Sequence, residues 1–368
     1  MIRAQRLLHR THHMTPTACA PAAVQQDHRH GLTLRAPGRL HLGFLDPAGS
    51  LGRRFGSLGL VIDGFETVVE IAAAGHDGVT GPDAQAAAEI ERARQHLATL
   101  RERTGCHQAL HLHLHSLLPA HAGFGSGTQL ALAVGRAFAA WHGLQVPTAT
   151  LAAWLGRGLR SGVGIAGFDQ GGLLLDGGPG APGRPAPLLA RVALPEAWRV
   201  VVVLEPGRSG LSGSEEKQAL AALPPLPQAL SADLCHQVLM RVLPGAADAQ
   251  FEPFAAGITR LQRVLGAHFA PAQGGQAYTS AAVGRVVQWL ADTAGPTAAA
   301  SGQSSWGPTG FVIVPSLELA ERLVQAARLA GVVAPGLRLQ VVRARNHGAL
   351  LQSAGAAVAA MAATPHAG

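Results

Sequence analysis

From Gly31 onward the apolar residues recur with periods that outline the elements. "LTLRAPGRLHLGFLD" (32–46) predicts a strand, a turn at Pro37-Gly38, and a second strand ending near Asp46. "GSLGRRFGSLGLVIDG" predicts a loop into a further strand, with "ETVVEI" after it, and "DAQAAAEIERARQHLATLRERTG" an Ala-rich amphipathic helix. "QALHLHLHSLLP" alternates with period two, as a half-buried strand does; a glycine-rich turn and a helix over about 128–142 follow. "PTATLAAWLGRGLRSGVGIAGFDQGGLLLDGGPG" predicts a helix, a second glycine-rich loop and a strand, and "GGPGAPGRPAPL" marks a hinge. Beyond it, "WRVVVVLEP" is a buried strand. Helices are predicted over about 214–223, 229–243, 251–265, 281–292 and 317–330, with strands in "TGFVIVPS" and "LRLQVVRARN". The expected organisation is a disordered tail over 1–30, one domain over 31–195, and a second over 196–368 that mixes helices with an antiparallel sheet. No internal repeat is visible.

A chain of 368 residues can bury two cores, and 48% hydrophobic against 14% charged residues indicates an ordered protein. No apolar run approaches the ~20 residues of a membrane span. The first thirty residues lack the apolar core of a secretory signal, and Met14 offers an alternative start. Cys19, Cys106 and Cys235 are few and far apart, which predicts a reducing, cytoplasmic setting without a disulfide framework. The net charge of +7 is almost wholly arginine, Lys217 being the single lysine. Those arginines are scattered and aromatics are scarce, which speaks against nucleic acid as a partner. Arginine suits bidentate binding of phosphate and carboxylate, so small anionic substrates are expected.

Candidate chemistry gathers in a few stretches. "LLPAHAGFGSGTQLALAVGRAF" (117–138) carries Gly123, Gly125, Ser126, Gly127 and Thr128 in front of an Ala/Leu helix. Glycines let backbone approach a ligand, Ser126 or Thr128 can cap the helix, and its first N–H groups favour an anion; an ordinary capped turn has the same composition. His111, His113 and His115 share one strand face, which suits either a metal or, without interleaved carboxylates, a solvent-facing or interface strand. In "FLDPAGSLGRRFGSLGL", Asp46 and Arg53 flank a glycine-loosened loop able to close over a substrate or simply to form a surface ion pair. "GRGLRSGVGIAGFDQGG" offers Arg157, Arg160, Ser161, Asp169 and Gln170; "GQSSWGPTGF" offers Gln303, Ser304, Ser305, Trp306 and Thr309; "RARNHGA" offers Arg343, Arg345, Asn346 and His347.

Taken together these stretches carry a resemblance. "LPAHAGFGSGTQLALAVGRA" resembles the second motif of the GHMP superfamily, whose glycine turn cradles nucleotide phosphates in small-molecule kinases. "GRLHLGFLDPAGSLGRRFGSLGLVID", "RGLRSGVGIAGFDQGGLLLDGG", "GLSGSEE", "GQSSWGPTGF" and "RARNHGA" are similar, in register from about Arg35 to about Ala349, to the β-ribofuranosylaminobenzene 5′-phosphate synthase family. The resemblance implies an α+β fold of two domains: a GHMP N-terminal domain with a left-handed β-α-β crossover, and a ferredoxin-like C-terminal domain. It implies condensation of 4-aminobenzoate with phosphoribosyl pyrophosphate to a C-riboside, with loss of CO2 and pyrophosphate, in tetrahydromethanopterin biosynthesis. One departure from the kinases points the same way: they usually carry Ser-Ser-Ala after the glycine turn, where this chain has Gly127, Thr128 and Gln129. Asp169 resembles the catalytic aspartate of the sugar kinases, which leaves an ATP-dependent GHMP kinase as the alternative and a basic nucleic-acid-binding module as a distant one.

On this resemblance, Asp46 and Arg53 are the expected catalytic pair and the Gly123–Thr128 turn (Gly123, Gly125, Ser126, Gly127, Thr128) the phosphate site. Arg39, Arg54, Arg160, Asp169, Gln170, Gln303, Ser304, Ser305 and Thr309 are the expected substrate contacts. Mg2+ is expected to accompany phosphoribosyl pyrophosphate; no resident metal site, ATP or organic cofactor is expected, and the partners are these small molecules and a second copy in a homodimer.

Overall fold

A computed structural model describes residues 31–83, 86–180, 185–211 and 213–353; the tail expected over 1–30, with Met14 and Cys19, lies outside them. The first strand differs from its sequence expectation. Residues Leu32–Asp46 form one strand, β1, which passes through Pro37-Gly38 without turning. Proline cannot donate to a ladder, and the strand accommodates it by a register shift between Pro37 and Arg39 against its neighbour β2 (Phe55–Ala73). Gly38 is needed there because a Cβ would stand 2.9 Å from Leu118 Cδ2.

β2 continues the sheet to β4 (Leu110–Ser116), which pairs in parallel with β3 (Gly78–Thr80); α1 (Ala87–Thr104) connects those two. On the same edge of β2 as β4, nearer its start, lies β5 (Leu173–Asp176), which pairs in turn with β6 (Leu188–Val192). Three helices follow β4 before β5: α2 (Ser126–Trp141), α3 (Thr148–Trp154) and α4 (Val163–Gln170). α2 is buried over most of its length because its Ala/Leu surface fits closely against β1 and β2. Alternation in β4 works as its sequence predicts. Leu110, Leu112 and Leu114 enter the core while the histidines face outward. Those histidines are engaged by neighbours: Thr80 Oγ1 meets His111 Nε2 at 3.3 Å and His113 Nδ1 at 2.7 Å, and His115 Nε2 lies 2.7 Å from Glu70 Oε2. Among the described residues no three His, Cys, Asp or Glu side chains are grouped to hold a metal.

The second half builds an antiparallel four-stranded sheet in the order β10-β7-β9-β8 (Arg338–Val342, Arg199–Leu204, Gly310–Val314, Ala300–Gln303). Around it run α5 (Gly213–Ala222), α6 (Gln228–Gln237), α7 (Leu243–Ala247), α8 (Phe251–Phe269), α9 (Ala281–Ala294) and α10 (Leu317–Leu329). The last strand, β11 (Leu350–Ser353), returns to pair with β1, so the end of the chain belongs to the first sheet although it lies within the expected second domain. One apolar cluster unites Leu40, Leu42, Leu58 and Leu60 of the first sheet with Leu261 and Leu265 of α8 and Val200 and Phe311 of the second sheet. The two halves thus share an interior. No helix among the described residues is long and apolar enough to cross a membrane.

α4 corrects the expectation of a second glycine-rich loop. Its glycines serve close packing: a Cβ on Gly167 would meet Val61 Cγ2 at 2.8 Å, and one on Gly164 would meet Thr128 Cγ2 at 3.3 Å. The helix is started by Asp176 of β5. Its buried carboxylate accepts from Gly162 N (2.7 Å) and Val163 N (3.2 Å), and also from Ser161 Oγ, Ser57 N and Gly178 N. Asp176→Ala strands five donors at once, and we expect it to lower stability by about 3 kcal/mol or more. Thermal unfolding checks this; a melting temperature equal to the wild type would show that water or a rearranged loop replaces the carboxylate.

Candidate active site

The glycine turn sits where β1, α2 and the loop after β8 meet. Gly125 takes a left-handed conformation (φ +78°) and is itself the N-cap of α2. Neither Ser126 nor Thr128 caps the helix, contrary to the sequence expectation, because both lie inside its first turn. The N–H groups of Thr128 and Gln129 return to Gly125 O, each at 3.0 Å. Those of Ser126 and Gly127 have no acceptor among the described residues. An uncapped start of this kind leaves the positive end of the helix available to an anion.

Two arginines are pressed against this turn. Arg39 Nη1 donates to Gly123 O at 2.8 Å, and a Cβ on Gly125 would stand 3.0 Å from Arg39 Cζ. A Cβ on Gly127 would stand 3.2 Å from Arg157 Nη1. The Nε of each is buried without an acceptor among the described residues. Burial lowers the pKa of Arg39 to about 10, with Glu216 opposing, so it remains a cation at neutral pH. Arg157 is lowered by burial and by Arg92. Desolvated guanidiniums with unused donors are strong partners for a phosphate oxygen.

Glu216 of α5 faces the same place from the second half, with Oε1 2.6 Å from Arg160 Nη1. Burial raises its pKa, against the lowering effect of Arg160 and Arg39. Thus Arg39 and Arg160, both expected to touch substrate, are brought together at the turn. Arg157, a candidate of the "GRGLRSGVGIAGFDQGG" stretch outside the expected substrate contacts, and Glu216, whose sequence signal is "GLSGSEE", join them.

The loop carrying Gln303, Ser304, Ser305 and Thr309 wraps the turn from below. Ser304 Oγ donates to Gly123 O (2.7 Å) and accepts from His41 N (2.9 Å), while Thr309 Oγ1 donates to Ala122 O. Gln303 Oε1 accepts from Thr279 N, its Nε2 donates to Gln273 Oε1 and Ser305 O, and Ser305 N donates to His41 O. The side chains of Ser304 and Thr309 therefore set the position of the turn, and Gln303 holds the loop that carries them. Close approach explains the glycines: a Cβ on Gly123 would lie 2.6 Å from Ser304 O.

Asp46, at the end of β1, organises the loop that follows. It accepts from Gly49 N (2.9 Å), Ser50 N and Ser50 Oγ (both 2.7 Å) and Ser231 Oγ of α6 (3.3 Å). Burial pushes its pKa upward, but the hydrogen bonds from Ser50, Gly49 and Ser231 outweigh it and leave the carboxyl below the usual range. Arg53 is exposed beside Gly180, and among the described residues it makes no ion pair with Asp46. Arg54 donates to Pro47 O and lies over the Phe55 ring. Asp169 and Gln170 stand at the exposed far end of α4, where Asp169 accepts from Thr148 Oγ1 at 2.6 Å. Six residues of helix, about 9 Å at ~1.5 Å each, separate Asp169 from the start of α4 beside the turn.

Comparison with known proteins shows what the whole chain is similar to. Residues 84–175 match the family described as "GHMP kinases N terminal domain", and residues 243–333 match "GHMP kinases C terminal". A relative from Archaeoglobus fulgidus, named beta-ribofuranosylphenol 5'-phosphate synthase, is 34% identical over 297 residues, covering 77% of this chain and 88% of its own. A relative of the same name from Methanothermobacter thermautotrophicus is 29% identical over 340 residues, covering 87% and 98%. Among solved structures, mevalonate diphosphate decarboxylase from Staphylococcus aureus superposes with TM-score 0.62 at 13% identity, covering 88% of this chain and 98% of that one. Homoserine kinase from Cytophaga hutchinsonii does so with TM-score 0.60 at 16% identity and the same coverage. These two share the fold.

Proposed function

The chain belongs to the family of the β-ribofuranosylphenol 5′-phosphate synthases, built on the GHMP fold, and from that premise we propose that it joins phosphoribosyl pyrophosphate to a para-substituted benzoate. The observation that carries this reading is the pairing of family membership along the chain with a turn that presents free N–H groups to an anion beside two half-buried arginines. A C-riboside synthase of this kind is a phosphoribosyltransferase. The bond from ribose C1′ to the pyrophosphate oxygen breaks, and the pyrophosphate carries away that electron pair. The ring carbon bearing the carboxylate supplies the pair for the new C–C bond. Cleavage of its bond to the carboxylate then returns a pair to the ring and releases CO2.

Each event asks something of the site. The departing pyrophosphate gains negative charge, which the α2 N-terminus, Arg39 and Arg157 stabilise. Mg2+, accompanying phosphoribosyl pyrophosphate, would offset the charge of the departing pyrophosphate. Arg53 and Arg54, on the loop shaped by Asp46, are the cations proposed to hold the carboxylate until it leaves. The kinase alternative has the fold in its favour, but the relatives that match along most of this chain carry the synthase name. That name describes a phenol, so the para group of the acceptor is the amine of 4-aminobenzoate or, in the second reading, the hydroxyl of 4-hydroxybenzoate. Mass analysis of products from both acceptors tests the proposal. A riboside phosphate lacking the carboxylate is expected from at least one, and an intact benzoate in both would reject it.

Asp46 bears on the same reading. The asparagine amide replaces one acceptor oxygen by a donor, so Asp46→Asn should loosen the loop and remove its negative charge together. We expect kcat to fall about 100-fold with the KM for phosphoribosyl pyrophosphate changed less than threefold. A near-normal kcat would remove Asp46 from the mechanism.

A further inference from the structure

Past Ser304 the cleft narrows to a slot between the end of β1 and α8, lined by His41, Phe44, Phe269, Trp306, Gln262 and Gln273. It leaves ≈ 30 Å³ of room for the centre of a water molecule, enough for a group of about one or two heavy atoms. Its walls are aromatic side chains set at angles to one another. The His41 and Phe44 rings meet edge-on at 4.5 Å, and Phe269 and Trp306 lie 4.6 Å apart. None of its lining residues is an acid, a lysine or an arginine. His41 is 3% exposed, and both its ring nitrogens lack a partner among the described residues. A neutral imidazole always carries one donor and one acceptor, and leaving either unmet in a buried place is costly. Burial, with Arg39 close by, brings its pKa to about 3, so the ring is neutral at working pH.

We propose that this slot receives the para end of the acceptor's aromatic ring, with the His41 imidazole hydrogen-bonding the amino or hydroxyl group para to the carboxylate. The inference rests on the synthase reading above. A small uncharged polar group fits a space of this size among aromatic side chains without charged ones, and the carboxylate at the other end of the ring then lies outside the slot. The distance to the chemistry is short, because His41 N, Ser304 Oγ and Gly123 O form a continuous hydrogen-bonded chain from slot wall to glycine turn. As the ring attacks C1′, the para nitrogen or oxygen gives up electron density and its hydrogen becomes a better donor. A bond to a neutral imidazole nitrogen therefore strengthens toward the transition state. His41 in this role touches the substrate and determines which para group is accepted.

Two variants test it. His41→Phe keeps a flat ring and removes both nitrogens, while Ala277→Trp narrows the mouth from an exposed position. Steady-state kinetics should show the KM for 4-aminobenzoate or 4-hydroxybenzoate, whichever the wild type uses, raised about tenfold or more in each, the ~1.4 kcal/mol of one buried hydrogen bond in the first case. The KM for phosphoribosyl pyrophosphate should stay within about twofold. His41→Phe should also narrow the gap in inhibition constant between unsubstituted benzoate and a para-substituted inhibitor. If His41→Phe does not fold, Ala277→Trp decides. Wild-type turnover separates the two claims: no CO2 from either acceptor overturns the synthase reading, whereas turnover with an unchanged acceptor KM in a folded variant overturns the slot alone.

Discussion

Gly125→Val should reduce kcat/KM for phosphoribosyl pyrophosphate about 1000-fold. Gly125 has φ +78°, where a β-branched residue is strained by about 2 kcal/mol. Its Cβ would stand 3.0 Å from Arg39 Cζ, and the added methyl groups would displace the guanidinium from the turn. The substitution therefore removes the approach to the helix N–H groups and the cation beside them together; loss of one preorganised donor alone costs about 100- to 1000-fold. The KM for the benzoate acceptor should change little, since its site lies beyond Ser304. Equal damage to both substrates, with a lowered melting temperature, would indicate a folding defect and remove the evidence that this turn binds the phosphates.

The second large effect is expected at Arg39. Arg39→Met keeps the length and apolar stem but leaves Gly123 O without its guanidinium donor and the turn without its charge. We expect a loss of about 100- to 1000-fold in kcat/KM for phosphoribosyl pyrophosphate, mostly in kcat, because the charge opposes the leaving group most strongly as it departs. Arg39→Lys should recover only part of it, since an ammonium cannot serve Gly123 O and a phosphate in one plane. Steady-state kinetics of the two variants settle the matter. A Met variant within fivefold of wild type would assign the turn's electrostatics to Arg157 instead.

Much of this architecture is written locally in the chain. The period of two in "LHLHLHS" predicts β4 and its buried leucines, and the Ala/Leu run after Gly125 predicts α2. The α+β class and the membership of the GHMP fold also follow from motifs along the sequence. What escapes local reading depends on distant partners. α4 looks like a loop because Gly164 and Gly167 are poor helix formers, and it folds because Asp176 starts it and Thr128 and Val61 need the room. β1 looks broken at Pro37-Gly38 because a bulge leaves no signature other than proline and glycine themselves. At the site, Arg39, the Arg157–Arg160 stretch and Glu216 come from three separate segments, and no spacing rule joins them. The hydroxyls of Ser304 and Thr309 suit substrate recognition by composition; the structure uses them on the carbonyl groups of Gly123 and Ala122. His41 reads as one polar position in an apolar strand until the aromatic walls around it are seen.

The account stands or falls on what leaves the reaction. Purified protein incubated with phosphoribosyl pyrophosphate, Mg2+ and carboxyl-labelled 4-aminobenzoate or 4-hydroxybenzoate, without ATP, should release labelled CO2 and pyrophosphate in equal amounts. Label retained on the ring, together with consumption of ATP when it is supplied, would contradict the synthase and establish a kinase on the same fold.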